Sequence, residues 1–374
     1  MQKLNFIYWF SYYNLDSPSV RYRGKYPLDF MKENCAVNSY FVMPGYHPRK
    51  ILIFLQAYFS ALFFRKPNST IVIQRVNSNF IYANLLKFLV KVRPSNTVYD
   101  TDDADYLDFP TKTIYFFIRN CFSVSVGSNE LKQNLSHLNN NVTLNSSPTP
   151  DLQIIKKRKN SLLTIGWIGN FAGGHKESLV NFFFPSIKEL PFNVKLVLLG
   201  VTSQSEFLFV TEYFRHCSNV ELELPLDLDW QNERDLQNRI VQFDIGIATL
   251  IDDELHRSKS AFKLKQYFNN GVPVLSSAIP ENIFFIDEGK NGFLCSTPGE
   301  FRKRIIEINE MNHFTYDKLS ANARIAISKF DLTKYSQNLR SNFTAKATKH
   351  SQLLKDSIEN LHEPSFNMTE NGSI

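Results

Sequence analysis

Short runs of β-branched and aromatic residues recur along the chain and are separated by longer amphipathic stretches. In the first part the runs are Leu4–Trp9, Val37–Val42, Thr70–Ile73, Thr97–Tyr99, Phe122–Val126 and Asn141–Leu144. Helix-compatible spacing fills 50–64 and 78–91. The pattern restarts at Leu162–Ile168 and continues with Val194–Leu199, Val220–Leu224, Ile245–Ala248 and Val272–Ser276. Helical segments are expected at 176–190, 231–241 and 260–269, then at 300–310, 315–329 and 332–345. Strands alternating with helices predict α/β architecture, with parallel sheets and crossover helices.

A turn-rich break, Ser146-Ser147-Pro148-Thr149-Pro150, and the basic run Lys156-Lys157-Arg158-Lys159 divide the two halves. Residues 1–150 are therefore expected to form one domain, 151–160 a linker, and 161–330 a second domain. A helix over 331–345 would return to the first domain. The polar end, 346–374, is expected to be partly disordered. A chain of 374 residues suits two such domains better than one core.

Composition narrows the partners. A formal charge of +6 suits phosphorylated small molecules, an anionic membrane or nucleic acid. Nucleic acid is set aside, because the basic residues form no long stripe interleaved with aromatics. Cys35, Cys121, Cys217 and Cys295 have neither metal-knuckle nor redox spacing and read as reduced thiols of a cytoplasmic protein. The eight histidines are too scattered for a zinc set, so no metal site is expected. The fourteen-residue run Ile51–Phe64 falls short of the roughly 20 residues a bilayer span needs. Its basic flanks, Arg49-Lys50 and Arg65-Lys66, suit an interfacial helix, while the run itself equally suits a helix buried against a sheet; the two readings agree if only one edge touches lipid.

Four segments carry candidate chemistry. Gly166-Trp-Ile-Gly169-Asn170-Phe-Ala-Gly173-Gly174-His-Lys176 runs from a strand through a glycine-rich loop into a helix. Such a loop lets backbone approach a phosphate, with Lys176 as a point charge, although it serves equally as an ordinary turn. Between Asp244 and Gly271, carboxylates and cations crowd one strand end and one helix start. Lys259 and Lys263 share a helix face, and their repulsion is relieved by an anion near both. Asp100, Asp102 and Asp103 follow a strand, at the carboxyl edge where open α/β sheets bind ligands. Arg21 and Arg23 follow the first strand and suit phosphate or carboxylate, or a solvated turn.

These residues carry a resemblance. Asp244-Ile-Gly-Ile-Ala-Thr-Leu250, Lys259-Ser-Ala-Phe-Lys263, Gln266-Tyr-Phe-Asn-Asn-Gly271-Val-Pro-Val-Leu-Ser276 and Asp287-Glu-Gly289-Lys-Asn-Gly292-Phe-Leu resemble the donor-binding half of family 4 glycosyltransferases. Tyr99–Asp103 with Arg21 and Arg23 is similar to a bacterial branch that builds surface polysaccharides. The resemblance covers about 1–340 and is specific in the second half. It implies the GT-B fold, two Rossmann-like domains facing each other across a cleft.

It further implies hexosyl transfer with retention of anomeric configuration, from a UDP- or GDP-sugar to a glycan or polyprenyl-phosphate-linked acceptor at the inner face of the membrane, with no required metal. Lys259 and Lys263 would stabilise the leaving diphosphate, while Asp100, Asp102 and Asp103 would orient the acceptor hydroxyl. Arg21 and Arg23 would hold an acceptor phosphate. Gly169, Asn170, Gly173, Gly174, Lys176, Ser258, Gln266, Glu281 and Asn282 would contact the donor. The family's paired glutamates fall on Ser258 and Gln266, and a further acidic position falls on Phe284, with Glu281 three residues earlier. These replacements keep two other readings open: a non-catalytic scaffold, or a nucleotide-sugar epimerase on the same fold.

Overall fold

The computed structural model describes residues 5–340, apart from 65, 67, 77, 78, 110 and 157. The reading of 346–374 as a polar tail therefore lies outside the described residues, as does the end of the last helix.

Among the described residues, twelve strands form two six-stranded parallel sheets. The first holds β1 (Phe6–Ser11), β2 (Asn38–Val42), β3 (Ser69–Gln74), β4 (Thr97–Thr101), β5 (Ser123–Val126) and β6 (Val142–Leu144). Its order is β2-β1-β3-β4-β5-β6. The second holds β7 (Thr164–Ile168), β8 (Val194–Leu199), β9 (Val220–Glu223), β10 (Ile245–Ala248), β11 (Val274–Ser277) and β12 (Gly292–Cys295), in the order β12-β11-β10-β7-β8-β9. The second order is the doubly wound Rossmann arrangement, with the chain reversing direction between β7 and β10. The first sheet reverses between β1 and β3. Both are α/β units with helices on each face, and together they make the GT-B fold.

Burial explains why the strands read so clearly. Every residue of β1, β3, β4, β5, β7, β10 and β11 is buried, because helices cover both faces. Strand β12, which the hydrophobic pattern did not mark, is four residues long and pairs with β11 as an edge. The expected helix 176–190 starts earlier, at Gly173, and widens into a π turn at Leu179–Phe183 before Phe184–Lys188.

Each sheet has its own core. Phe10, Ile73, Leu86, Phe117 and Val124 pack on one face of the first, and Ile7, Trp9, Leu28 and Met31 on the other. Tyr335 and Leu339, from the helix at 332–340, complete that second cluster. The chain thus crosses from first lobe to second near Thr149 and returns near Asp331, and these two residues pair as an isolated bridge. Lys156 and Asp244 anchor the outward crossing: the Asp244 carboxylate accepts from the amides of Asn160 and Thr164, each at 2.8 Å, and pairs with the Lys156 ammonium at 3.1 Å.

Candidate functional site

The carboxyl edges of the two sheets face each other. Between them lies a cavity of about 260 Å³ lined by Arg75, Asp102 and Asp103 from the first lobe and by His175, Lys259 and Lys263 from the second. Each of these residues follows a strand or opens a helix at a carboxyl edge. Arg75 comes directly after β3, Asp102 and Asp103 after β4, and His175 after the β7 turn. Lys259 lies on the loop after β10, and Lys263 in the first turn of the helix Phe262–Asn269.

On the first-lobe wall, Arg75 organises the acids. Its guanidinium stands 3.0 Å from Asp103, 3.3 Å from Asp102 and 2.5 Å from Asp105. Arg75 has φ of +50°, a left-handed conformation uncommon for any residue but glycine, and its amide donates to the Asp100 carbonyl. One planar fork thereby balances three clustered carboxylates. Burial pushes Asp103 up, but Lys259 and Arg75 together hold it well below the usual carboxylate range. Asp105, deeper and with only Arg75 to offset its desolvation, is raised to about 6.

On the second-lobe wall the balance is opposite. Lys259 reaches across the cleft to Asp103 at 3.0 Å. Lys263 forms no salt bridge among the described residues. Its nearest polar partner is Nδ1 of His175 at 3.4 Å, and its stem packs on Gly169, where an added Cβ would come within 2.9 Å of the Lys263 Cε. Desolvation, then the neighbouring Lys259, lowers Lys263 to about 7. Lys263, followed by burial and Lys259, pushes His175 down to about 2, so its imidazole is neutral and accepts the lysine hydrogen bond. This wall is a pair of cations with too little negative charge, open to a cavity.

Residues that meet between the lobes set how closely the walls approach. Gly127, just after β5, is one: a Cβ there would lie 2.8 Å from the Asp102 Cβ and 3.2 Å from the Ser260 Cβ. Next to it the Ser128 hydroxyl donates to the Ser258 carbonyl at 2.7 Å. The Asn129 amide donates to Glu281 at 3.0 Å. Gln266 donates to the Tyr22 hydroxyl at 3.0 Å, and Tyr22 in turn donates to Glu233.

Several expected site residues have other occupations. Arg23 and Asp100 are fully buried and hydrogen-bond each other twice, at 2.9 and 2.6 Å, and Arg23 also donates to the Asn145 carbonyl. Neither is part of the cavity lining. Arg21 is turned onto the carbonyls of Leu15 and Asp16. All of Val20–Lys25 is a π turn leading into the helix Tyr26–Cys35, rather than a solvated loop. Lys176 sits 3.9 Å from the centroid of the Phe209 ring, off the cavity wall. Ser258 and Gln266 are inter-lobe struts.

Other expected residues do meet at the cleft. Asn282 lines the cavity, and among the described residues its buried Oδ1 has no hydrogen-bond partner. The Oε1 of buried Glu281 is likewise unpartnered, and burial raises this carboxyl. Gly174 leaves room for His256, whose imidazole would meet a Cβ there at 2.4 Å. Gly169, at φ +148°, shapes the turn, while Asn170 and Gly173 are exposed in it. Sequence reasoning did not single out Arg75 or His175. Their only sequence signals were a cation directly after a strand and an imidazole inside the glycine loop.

No protein-family model and no curated protein matches the sequence. Solved structures do match the fold. A glycosyltransferase from Rickettsia africae superposes with a TM-score of 0.66 at 12% identity, over 92% of this chain and 99% of that one. Anabaena HepE in complex with UDP and glucose gives 0.62 at 13% identity, over 91% and 99%. Sucrose-phosphate synthase from Thermosynechococcus elongatus gives 0.62 at 10% identity, over 94% and 100%. At these identities the shared property is the two-lobed fold.

Proposed function

We propose that this chain is a retaining glycosyltransferase that moves a hexosyl group from a nucleoside-diphosphate sugar, with UDP or GDP as the base-bearing half, to a glycan or polyprenyl-phosphate-linked acceptor in cell-envelope polysaccharide synthesis. It would work in the cytoplasm at the inner face of the membrane. The observation that carries this is the pair Lys259 and Lys263, which project from one lobe toward a cavity whose opposite wall is acidic. UDP bound to HepE, on the same fold, supports a nucleotide-sugar donor.

In this reading the donor diphosphate sits against Lys263 and Lys259. It competes with Asp103 for Lys259 and supplies the charge that the lysine pair lacks. As the bond from the anomeric carbon to the diphosphate oxygen breaks, its electron pair goes to the diphosphate and the two ammonium groups stabilise that charge. Asp102 and Asp103, placed by Arg75, orient the acceptor hydroxyl, whose oxygen forms the new bond. The hydroxyl proton passes to the departing diphosphate. A terminal phosphate has a second pKa near ~6, which makes it a stronger base than Asp103. Retention of configuration rests on the resemblance in sequence.

The test is release of nucleoside diphosphate from a panel of UDP-, GDP-, ADP- and dTDP-sugars, with Lys263→Ala as control. Release from one donor, lost in the variant, supports the reading and names the sugar. If no member of the panel binds at millimolar concentration, the non-catalytic scaffold reading takes its place.

A further inference from the structure

The first lobe carries a large apolar face that the cleft does not use. It is built by the helices Pro48–Leu62 and Phe80–Val92, which pack side by side on the sheet through Ala57, Ala61, Ala83 and Leu86. Their outer sides present Leu52, Phe59, Phe63, Phe64, Phe80 and Ile81, with Phe64, Phe80 and Ile81 at 78%, 80% and 72% exposed. Aromatic and aliphatic groups at this density are not left on a monomer's surface without a partner.

Charge identifies the partner. From Asn34 to Tyr99 the chain has no Asp or Glu, whereas Arg49, Lys50, Arg65, Lys66, Arg75, Lys87, Lys91 and Arg93 fall within it. The two helices themselves thus carry four cations, Arg49, Lys50, Lys87 and Lys91, and no acid. Among the described residues no helix is long and apolar enough to cross a membrane, and an apolar face with cations beside it suits the surface of an anionic bilayer. A second copy of the same face would bring like charges together.

The face also continues into the fold. A groove of about 670 Å³ lined by Tyr13, Tyr46, Ile51, Phe54, Ile81 and Leu85, among others, runs from the two helices to the segments that follow β1 and β2. At its inner end the Tyr13 ring lies 5.6 Å from the Arg75 guanidinium, which holds Asp102 and Asp103.

We infer that the two-helix face docks on an anionic lipid bilayer, and that the groove behind it draws the hydrocarbon end of a membrane-borne acceptor toward Arg75 and the acids. The acceptor part rests on the transferase reading above; the docking part stands without it. The full chain is sedimented with vesicles of phosphatidylglycerol and phosphatidylcholine, and with phosphatidylcholine alone. Parallel runs use Phe63→Ser/Phe64→Ser and Phe80→Ser/Ile81→Ser, checked for unchanged circular dichroism and monomer mass. Co-sedimentation with the anionic vesicles, weakened by salt and reduced at least tenfold in both variants, is the expected result. The inference is overturned by absence of binding to anionic vesicles, by equal binding of the variants, or by a wild-type dimer that the variants dissociate, which would assign the face to a second copy. Nucleotide release from soluble donors reads the second lobe separately, so loss of vesicle binding with donor release intact rejects only the docking.

Discussion

At the scale of single residues, the cleft is an electrostatic mismatch held in readiness. Lys263 is lowered to about 7 because it is desolvated beside another cation. A bound diphosphate reverses that, so the protein takes up a proton with the ligand. Nucleoside diphosphate affinity is therefore expected to be level below pH 7 and to fall as pH rises above it, approaching tenfold per unit until the bound-state pKa is reached. Titration calorimetry between pH 6 and 9 checks this, and Lys263→Gln should bind weakly with this slope gone. Arg23 makes the opposite case. Arg23→Ala would leave Asp100 charged and unpaired in the core, which costs roughly 3–5 kcal/mol. Urea unfolding should show that loss, while donor release per folded molecule stays near wild type. Sequence alone placed Asp102, Asp103, Lys259 and Lys263 at the right edge, because edge position follows from strand ends. It did not separate Asp100 from its neighbours. Asp100 still lies inside β4, whereas Asp102 and Asp103 come after its end, and the buried arginine that claims Asp100 stands seventy-seven positions away in the chain.

Among the elements, the strands buried on both faces were legible as continuous apolar runs. Those that escaped were short or lay at the edge: β12 has only four residues. Helices such as Thr111–Asn120 and Gln204–Phe214 were also passed over, since their apolar residues face a sheet that cannot be located without the tertiary structure. Tight joints between elements were equally invisible. The link after β5 is one of these, and its consequence is mechanical. Gly127→Val would wedge branched carbon between Asp102 and Ser260, where even a Cβ is too close. The lobes would then stop short of their present separation. We expect a fall in kcat for transfer of on the order of tenfold or more, with a smaller change in donor affinity, since misplacing reacting groups by about an ångström is costly. Steady-state kinetics set against equilibrium binding of the nucleotide distinguishes this from simple loss of the donor site.

For the whole molecule, the lobes touch through polar contacts, among them Ser128 to Ser258, Asn129 to Glu281 and Gln266 to Tyr22, and through rings such as Tyr22 and Phe262, 4.5 Å apart. Interfaces of that kind permit relative motion. The two chain crossings lie side by side, joined at Thr149 and Asp331, so they act as paired pins on one side of the cleft. This arrangement also decides how the protein can be taken apart. The first lobe is not one stretch of chain: Tyr335 and Leu339 fill its core from the far end of the sequence. A fragment ending near residue 150 would lack part of its own interior, and one ending at residue 330 would strand the same vacancy on an otherwise finished molecule. During synthesis the first lobe must therefore wait, incompletely packed, until the second has been made and the returning helix can close it. Reconstitution from pieces would require the peptide around 332–340 to be supplied as a third component.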